Sequence, residues 1–329
     1  MPPFARHTAL VVSVLTGIFL RGAEAQTFPT RPITLVVPFA AGGPSDTIAR
    51  LIAQSMSKTL NGSVVIENVA GAGGTLGAAR VSKAETDGHT LLIHHVALPA
   101  GASLYKNLSY DTATAFEMLG LINAGPMVLL ARKNDPAADA PALLARLRGQ
   151  GGDAMKSTLA HAGVGSNSHL CGLLLSRALK VSFTQVAYRG TGPAMNDLVS
   201  GQVDLLCDQS TTAVPQVSSG TVKGFAVTSG KRLGVLKELP TLIEAGLSGF
   251  EFTIWHGLYA PAGTPQPVIE ALNRALGVAL ADAQISARFA DVGTNSYPEA
   301  ERTPEAHRAL FQREMTVWKE VITATSEDK

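Results

Sequence analysis

Two segments of this chain bring glycine, hydroxyl and amide residues together in a pattern suited to holding an anion. The first is Phe39-Ala40-Ala41-Gly42-Gly43-Pro44-Ser45-Asp46, and the second is Gly163-Val164-Gly165-Ser166-Asn167-Ser168-His169. Each leads into a stretch whose apolar residues recur at helical spacing. The first N–H groups of a helix have no partner within it, and the aligned peptide dipoles place roughly half a positive charge there. Such an end attracts carboxylate or phosphate. No Lys or Arg falls between Arg31 and Arg50, or between Lys156 and Arg177. Backbone and hydroxyl donors must therefore do the holding. The candidate ligand-binding residues are Phe39, Ala40, Ala41, Gly42, Gly43, Ser45 and Asp46 on one side, and Gly165, Ser166, Asn167, Ser168 and His169 on the other.

Each candidate also has a plainer role. Ser45 or Asp46 suits a helix N-cap, as do Ser166 and its neighbours. A carboxylate at Asp46 repels an anion unless it holds water or a ligand amine. His169 sits in the first turn of its helix, where it either donates to the ligand or orients the loop. His94 and His95 are adjacent on an expected strand, so their side chains should face opposite ways and cannot readily chelate one metal. We expect no metal and no cofactor; one of these histidines should reach the cleft. Gly71-Ala72-Gly73-Gly74 fails as a dinucleotide fingerprint, because the third glycine would fall at Leu76. Trp255 and Tyr259 read as core or hinge packing.

The elements that must carry these loops alternate. From Pro32 to His95 the order is strand Ile33 to Val37, helix Ser45 to Leu60, strand Val64 to Glu67, helix Leu76 to Lys83 and strand Thr90 to His94. Ile48, Leu51, Ile52, Met56 and Leu60 form the buried stripe of the first helix. A second unit begins at Met127 to Ala131, with helices near 141–148, 167–179 and 193–200 and strands near 157–160, 183–187, 203–207 and 224–228. Strands this rich in Val, Ile and Leu, joined by helices, imply parallel sheets covered on both faces. Phe250 to Ala260 reads as a long return strand, followed by two or three helices that must pack on the first unit. The chain then crosses between two α/β lobes near 120–130 and 248–258. Ligands of open parallel sheets bind beyond the carboxyl ends of the strands, so the two anion-binding loops should face each other across a cleft.

Residues 1–25 read as an export signal: Arg6 and His7, an uncharged run from Thr8 to Leu20, then Ala23-Glu24-Ala25 as a cleavage site. That run is shorter than the ~20 residues of a membrane-spanning helix, although an uncleaved anchor is the plainer alternative. The expected organisation is 1–25 leader, 26–124 first part of lobe one, 125–250 lobe two, and 251–329 the return strand and C-terminal helices on lobe one. The full chain carries 27 Lys and Arg against 26 Asp and Glu; losing Arg6, Arg21 and Glu24 with the leader leaves the two signs equal. That balance argues against a nucleic-acid surface or a polybasic membrane patch. A small molecule is the expected partner. Cys171 and Cys207 are the only cysteines. Export would permit pairing, but their apolar neighbours suggest two separate buried thiols.

Taken in order, several pieces resemble the solute-binding proteins of tripartite tricarboxylate transporters, the Bug family. They are Arg31-Pro32-Ile33, Val36-Val37-Pro38-Phe39, Gly42-Gly43-Pro44-Ser45-Asp46, Gly71-Ala72-Gly73-Gly74-Thr75-Leu76-Gly77-Ala78, Gly165-Ser166-Asn167-Ser168-His169-Leu170, Tyr188-Arg189-Gly190, Gly201-Gln202-Val203-Asp204, Asp208 and Ala260-Pro261-Ala262-Gly263-Thr264-Pro265. The resemblance implies a two-lobed, type II-like periplasmic binding fold of the Venus flytrap kind. It also implies a monomer that closes on a small carboxylate, partly through ordered water, and delivers it to the membrane permease subunits. Asp208 is then placed near the cleft floor. His94-His95-Val96-Ala97-Leu98 departs from the small, polar run usual in the family. The ligand stays open among dicarboxylates, tricarboxylates, acidic amino acids and aromatic carboxylates. Two alternatives also stay open: an exported hydrolase using Ser166 or Ser168 with His169 and Asp208, though no G-x-S-x-G elbow is present, and a ligand sensor with no dedicated permease.

Overall fold

A computed structural model of the chain describes residues 28–149 and 156–327. The expected export signal lies outside the described residues. The first unit runs β1 (Ile33–Val37), α1 (Pro44–Thr59), β2 (Val64–Asn68), α2 (Thr75–Ser82) and β3 (Thr90–His95), with β1 parallel to both β2 and β3. Ile48, Ile52 and Met56 of α1 are fully buried, while Leu51 and Leu60 are half-covered at the edge of that stripe. Pro44 opens α1, where its missing N–H would have had no helical partner. A further helix, α3 (Ala97–Leu104), follows β3 directly. Its Pro99 and Gly101 hide it from a propensity reading, yet Pro99 lies in the first turn, where proline is tolerated.

The second unit opens on β4 (Phe116–Arg132), a strand of 17 residues. At ~3.3 Å per residue it spans roughly 55 Å, enough to run through both halves of the molecule. Its first part pairs antiparallel with β9 (Thr253–Pro261). Its second part lies antiparallel to β7 (Leu205–Gln209) and β8 (Val222–Val227). Beyond β7 come β5 (Thr158–His161) and β6 (Thr184–Ala187), parallel to one another. The path through the sheet is β2-β1-β3-β9-β4-β7-β5-β6. The register of β4 slips between Met118 and Gly120 and again between Leu121 and Asn123, so the strand bends within the stretch paired with β9, ahead of its passage into the second half. Gly120 sits there at φ 144°, and a Cβ would meet the Arg302 carbonyl at 2.5 Å.

Among the described residues, four helices cover the second half: α4 (Ala140–Arg148), α5 (Asn167–Leu179), α6 (Thr191–Ser200) and α7 (Ser210–Ser218). The chain ends in α8 (Gln266–Ala281), α9 (Ala283–Asp291) and α10 (Pro304–Glu327), with the two-residue strand β10 (Asn295–Ser296) against β4. α8 packs on α1 and β4, and α10 on α3 and β4. Among the described residues no helix is long and apolar enough to cross a membrane.

The expectation of two separate thiols is corrected. Cys171 of α5 and Cys207 of β7 form a disulfide, with Cα atoms 6.3 Å apart. Both are fully buried. Apolar neighbours report burial alone; α5 lies on β7, and that packing turns two buried thiols towards each other.

Candidate functional site

Four helix N-termini converge on the cleft. Gly43, Pro44 and Ser45 open α1, and Ser166, Asn167 and Ser168 open α5; Thr191 begins α6, and Asp208 and Gln209 lead into α7. Together with Phe39, His95, Met127 and Ala162 they line one cavity between the halves, with about 310 Å³ of space outside atoms. The space left within it is narrow. That is room for a water or two, so the halves stand nearly shut. No Lys or Arg is among the lining residues.

The Ser166 side chain caps α5 by accepting the His169 backbone N–H at 3.3 Å, and its oxygen lies 3.1 Å from that of Ser168. Ser168 in turn accepts the Ala162 N–H at 2.9 Å, tying the helix end to the strand before it. Asn167 is 2% exposed, and neither atom of its side-chain amide has a partner. On the opposite wall Ser45 Oγ lies 3.1 Å from His256 Nε2. Burial holds His256 down at about 3, with the neighbouring His94 adding to the effect.

Neither Ser45 nor Asp46 caps α1, whose N-cap is Gly43 with no side-chain bond. Asp46 is buried under Arg50, which donates to both of its oxygens at 3.0 Å, and it also accepts from the Gly42 N–H and from Asn68 Nδ2. Burial opposes its charge, but the bonds from Arg50, Gly42 and Asn68 outweigh that and hold the carboxyl below its usual range. Asp46 thus braces the 39–43 loop with its charge already neutralised. Asn68 Nδ2 completes the brace by donating to the Phe39 carbonyl at 3.0 Å.

The expected alternation of His94 and His95 does not hold. Both rings pack around Phe39, His95 stacked on it with centroids 4.9 Å apart and His94 edge-on at 5.8 Å. The strand ends at His95 and the backbone turns into α3, which breaks the two-residue period. His95 lines the cavity. Its Nδ1 accepts the Ala97 N–H at 3.2 Å, and burial keeps the ring neutral, with His94 and His256 adding to that. The remaining proton then sits on Nε2, which makes that atom a donor.

Asp208 is fully buried on the cavity wall. Burial pushes its carboxyl up to about 6, against hydrogen bonds from Thr212, the Gln209 N–H and Thr191. Gln209 is 4% exposed, and its Oε1 has no partner.

Of the residues singled out in the sequence, Phe39, Gly43, Ser45, Ser166, Asn167, Ser168 and Asp208 line this cavity. Ala40, Ala41, Gly42, Asp46, Gly165 and His169 are not among its lining residues. Ala40 donates its N–H to the Arg189 carbonyl across the cleft at 3.0 Å, and the Gly165 N–H donates to His169 Nδ1 at 3.2 Å. Thr191 and Gln209 were not anticipated. The turn Gly190-Thr191-Gly192 repeats the small-residue signature of the other two loops and could have been found by it. Gln209 has no such signal.

Two α/β halves on one bent strand, with helix ends meeting at a shared cleft, define a two-lobed binding protein of the periplasmic type. Residues 48–326 match the family model of the tripartite tricarboxylate transporter family receptors. The UPF0065 protein of the TAR-I ttuE-ttuC' intergenic region of Agrobacterium vitis is 45% identical over 322 residues, covering 96% of this chain and 91% of that one. Among solved structures, the periplasmic binding protein BugD superposes with a TM-score of 0.88 at 44% identity, covering 91% of this chain and 99% of that one. MatC from Rhodopseudomonas palustris with bound malate gives 0.86 at 42% identity, covering 90% and 100%. The chain belongs to the tripartite tricarboxylate transporter receptor family, and the resemblance to Bug proteins holds.

Proposed function

We propose that this chain is a periplasmic receptor that closes its two lobes on a small carboxylate and delivers it to a tripartite tricarboxylate-type permease. One observation carries the reading: the opening turns of α1 and α5, from opposite halves, line the same cavity, and no Lys or Arg lies among its lining residues. Orphan N–H groups and hydroxyls can then solvate an anion that has left water. The malate held by MatC, a relative at 42% identity, supports the same ligand chemistry. In this reading residues 26–124 and 251–329 move as one lobe against 125–250, and the bend in β4 serves as part of the hinge. The ligand contacts are Phe39, Gly43, Ser45, Ser166 to Ser168 and Asp208, joined by Thr191, Gln209 and His95.

The geometry favours a receptor over a hydrolase. A serine triad needs the histidine Nδ1–H to donate to the acid, whereas His169 Nδ1 accepts the Gly165 N–H, and Asp208 is engaged by Thr212 and Gln209. The expected outcome of a carboxylate panel followed by thermal unfolding is a melting temperature that climbs with ligand concentration, equivalent to roughly 2.7 kcal/mol at a hundredfold excess over Kd. A panel spanning mono-, di- and tricarboxylates that left the melting temperature unmoved would reject the reading.

A further inference from the structure

The cavity that gathers donors from helix ends also holds acceptors that nothing satisfies. Asn167 Oδ1 and Gln209 Oε1 are both buried without a partner, on residues 2% and 4% exposed. Both residues line the same cavity, and Asp208 lies beside Gln209 on its wall. Exchanging the two ends of the Asn167 amide changes nothing, because an amide always presents one oxygen. A carboxylate oxygen only accepts. It can take the Asn167 amide hydrogens and the helix N–H groups, but it has nothing to give to these oxygens. A buried acceptor left empty penalises whatever ligand leaves it so.

The backbone N–H and side-chain amide of Asn167 belong to one residue at the first turn of α5, so both address the same end of a ligand seated there. Resting on the carboxylate-receptor reading, we infer that the site selects a carboxylate carrying a hydrogen-bond donor, hydroxyl or ammonium, on the adjacent carbon, with Asn167 and Gln209 as the selecting residues. An ammonium has hydrogens enough for both acceptors, whereas a hydroxyl, with one O–H, meets one of them. An ammonium would in addition face Asp208 in a cavity whose lining has no other ionised group.

The test is calorimetric titration of the mature protein with matched pairs that differ only in that donor: malate or aspartate against succinate, 2-hydroxyglutarate or glutamate against glutarate, lactate or alanine against propionate, and mandelate or phenylglycine against phenylacetate. In every pair that binds, the donor-bearing member is expected to bind at least about tenfold tighter, since a site built to bond a hydroxyl or amine rejects the analogue lacking it. The hydroxy and amino arms report which donor is taken. In Asn167→Ala and Gln209→Leu the ratio should shrink towards one, and because the ratio is first read on the unaltered protein, a variant that failed to fold would not remove the test. Equal affinity within a pair would overturn this inference while leaving the receptor reading intact. Absence of binding by every carboxylate would overturn both.

Discussion

A carboxyl group sealed into the cleft wall, with no Lys or Arg lining its cavity, makes Asp208 sensitive to pH in a direction opposite to most acids. Burial raises its folded value to about 6, from an ordinary 3.8. Between those limits the unfolded chain has released the proton and the folded chain still holds it. Stability contributed by this group is therefore full below pH 4 and is lost as pH rises towards 6 and just beyond. A shift of two units corresponds to about 3 kcal/mol. Urea unfolding at pH 4 and pH 7 should show wild type losing about 2 to 3 kcal/mol more than Asp208→Asn over that interval. Asp46, whose carboxyl is held low, acts with the opposite sign and at lower pH; it is present in both proteins and cancels. A difference that stayed flat or grew with pH would contradict the assignment. At this scale the sequence was informative where the chemistry is local. Ser166 to Ser168 and Gly43 to Ser45 announce themselves as hydroxyls and glycines before a helix. Gln209 does not, because the topology that carries β7 beside β4, and not any neighbour in the chain, brings it to the cavity.

The elements that bear the site are joined covalently as well as by packing. The Cys171–Cys207 bond ties α5, whose first turn carries Asn167, to the residue just before Asp208. Closing a loop of 36 residues removes chain entropy worth about 4 kcal/mol in the simplest treatment, and measured effects usually fall at ~2 to 4 kcal/mol. Cys171→Ser/Cys207→Ser should therefore be less stable to urea by ~2 to 4 kcal/mol, and adding reductant to wild type should reproduce the loss. Coincident curves would mean that the bond contributes nothing to stability. Alternating apolar strands and helices were readable from 33 to 95 because each is short and periodic. β4 was not readable in full. Its first half contains Gly120, Asn123 and Gly125, which read as a connection, and only pairing with β9 makes them a strand. α3 was missed for a similar reason: Pro99 and Gly101 lower its propensity, while burial against β3 and α10 supplies what propensity lacks.

Across the whole molecule, a few contacts hold the two halves together at the cleft. The Tyr105 hydroxyl, just past α3, lies 2.9 Å from the Ala72 carbonyl on its own side and 2.7 Å from the Val164 carbonyl opposite. Beside it Gly73 approaches so closely that a Cβ would fall 1.8 Å from Val164 O. Gly73 thus serves backbone contact between lobes, which gives this glycine of the 71–74 run a role that is no nucleotide motif. Tyr105→Phe should weaken carboxylate binding by roughly 0.5 to 1.5 kcal/mol, the worth of one hydrogen bond, chiefly through faster release. Gly73→Ala is the sharper probe, because its methyl group collides with backbone that cannot give way, and only when the lobes meet. Gly73 also has φ 61°, so alanine there carries about 1 kcal/mol of strain whether or not the lobes touch. Gly201, at φ 79° with open space around it, is the matched control for that strain. Both variants should lose similar stability to urea, yet only Gly73→Ala should lose ligand affinity and fail to become more compact in solution scattering when the best-binding carboxylate is added. If Gly73→Ala bound that carboxylate as tightly as Gly201→Ala does, closure could not run through this contact.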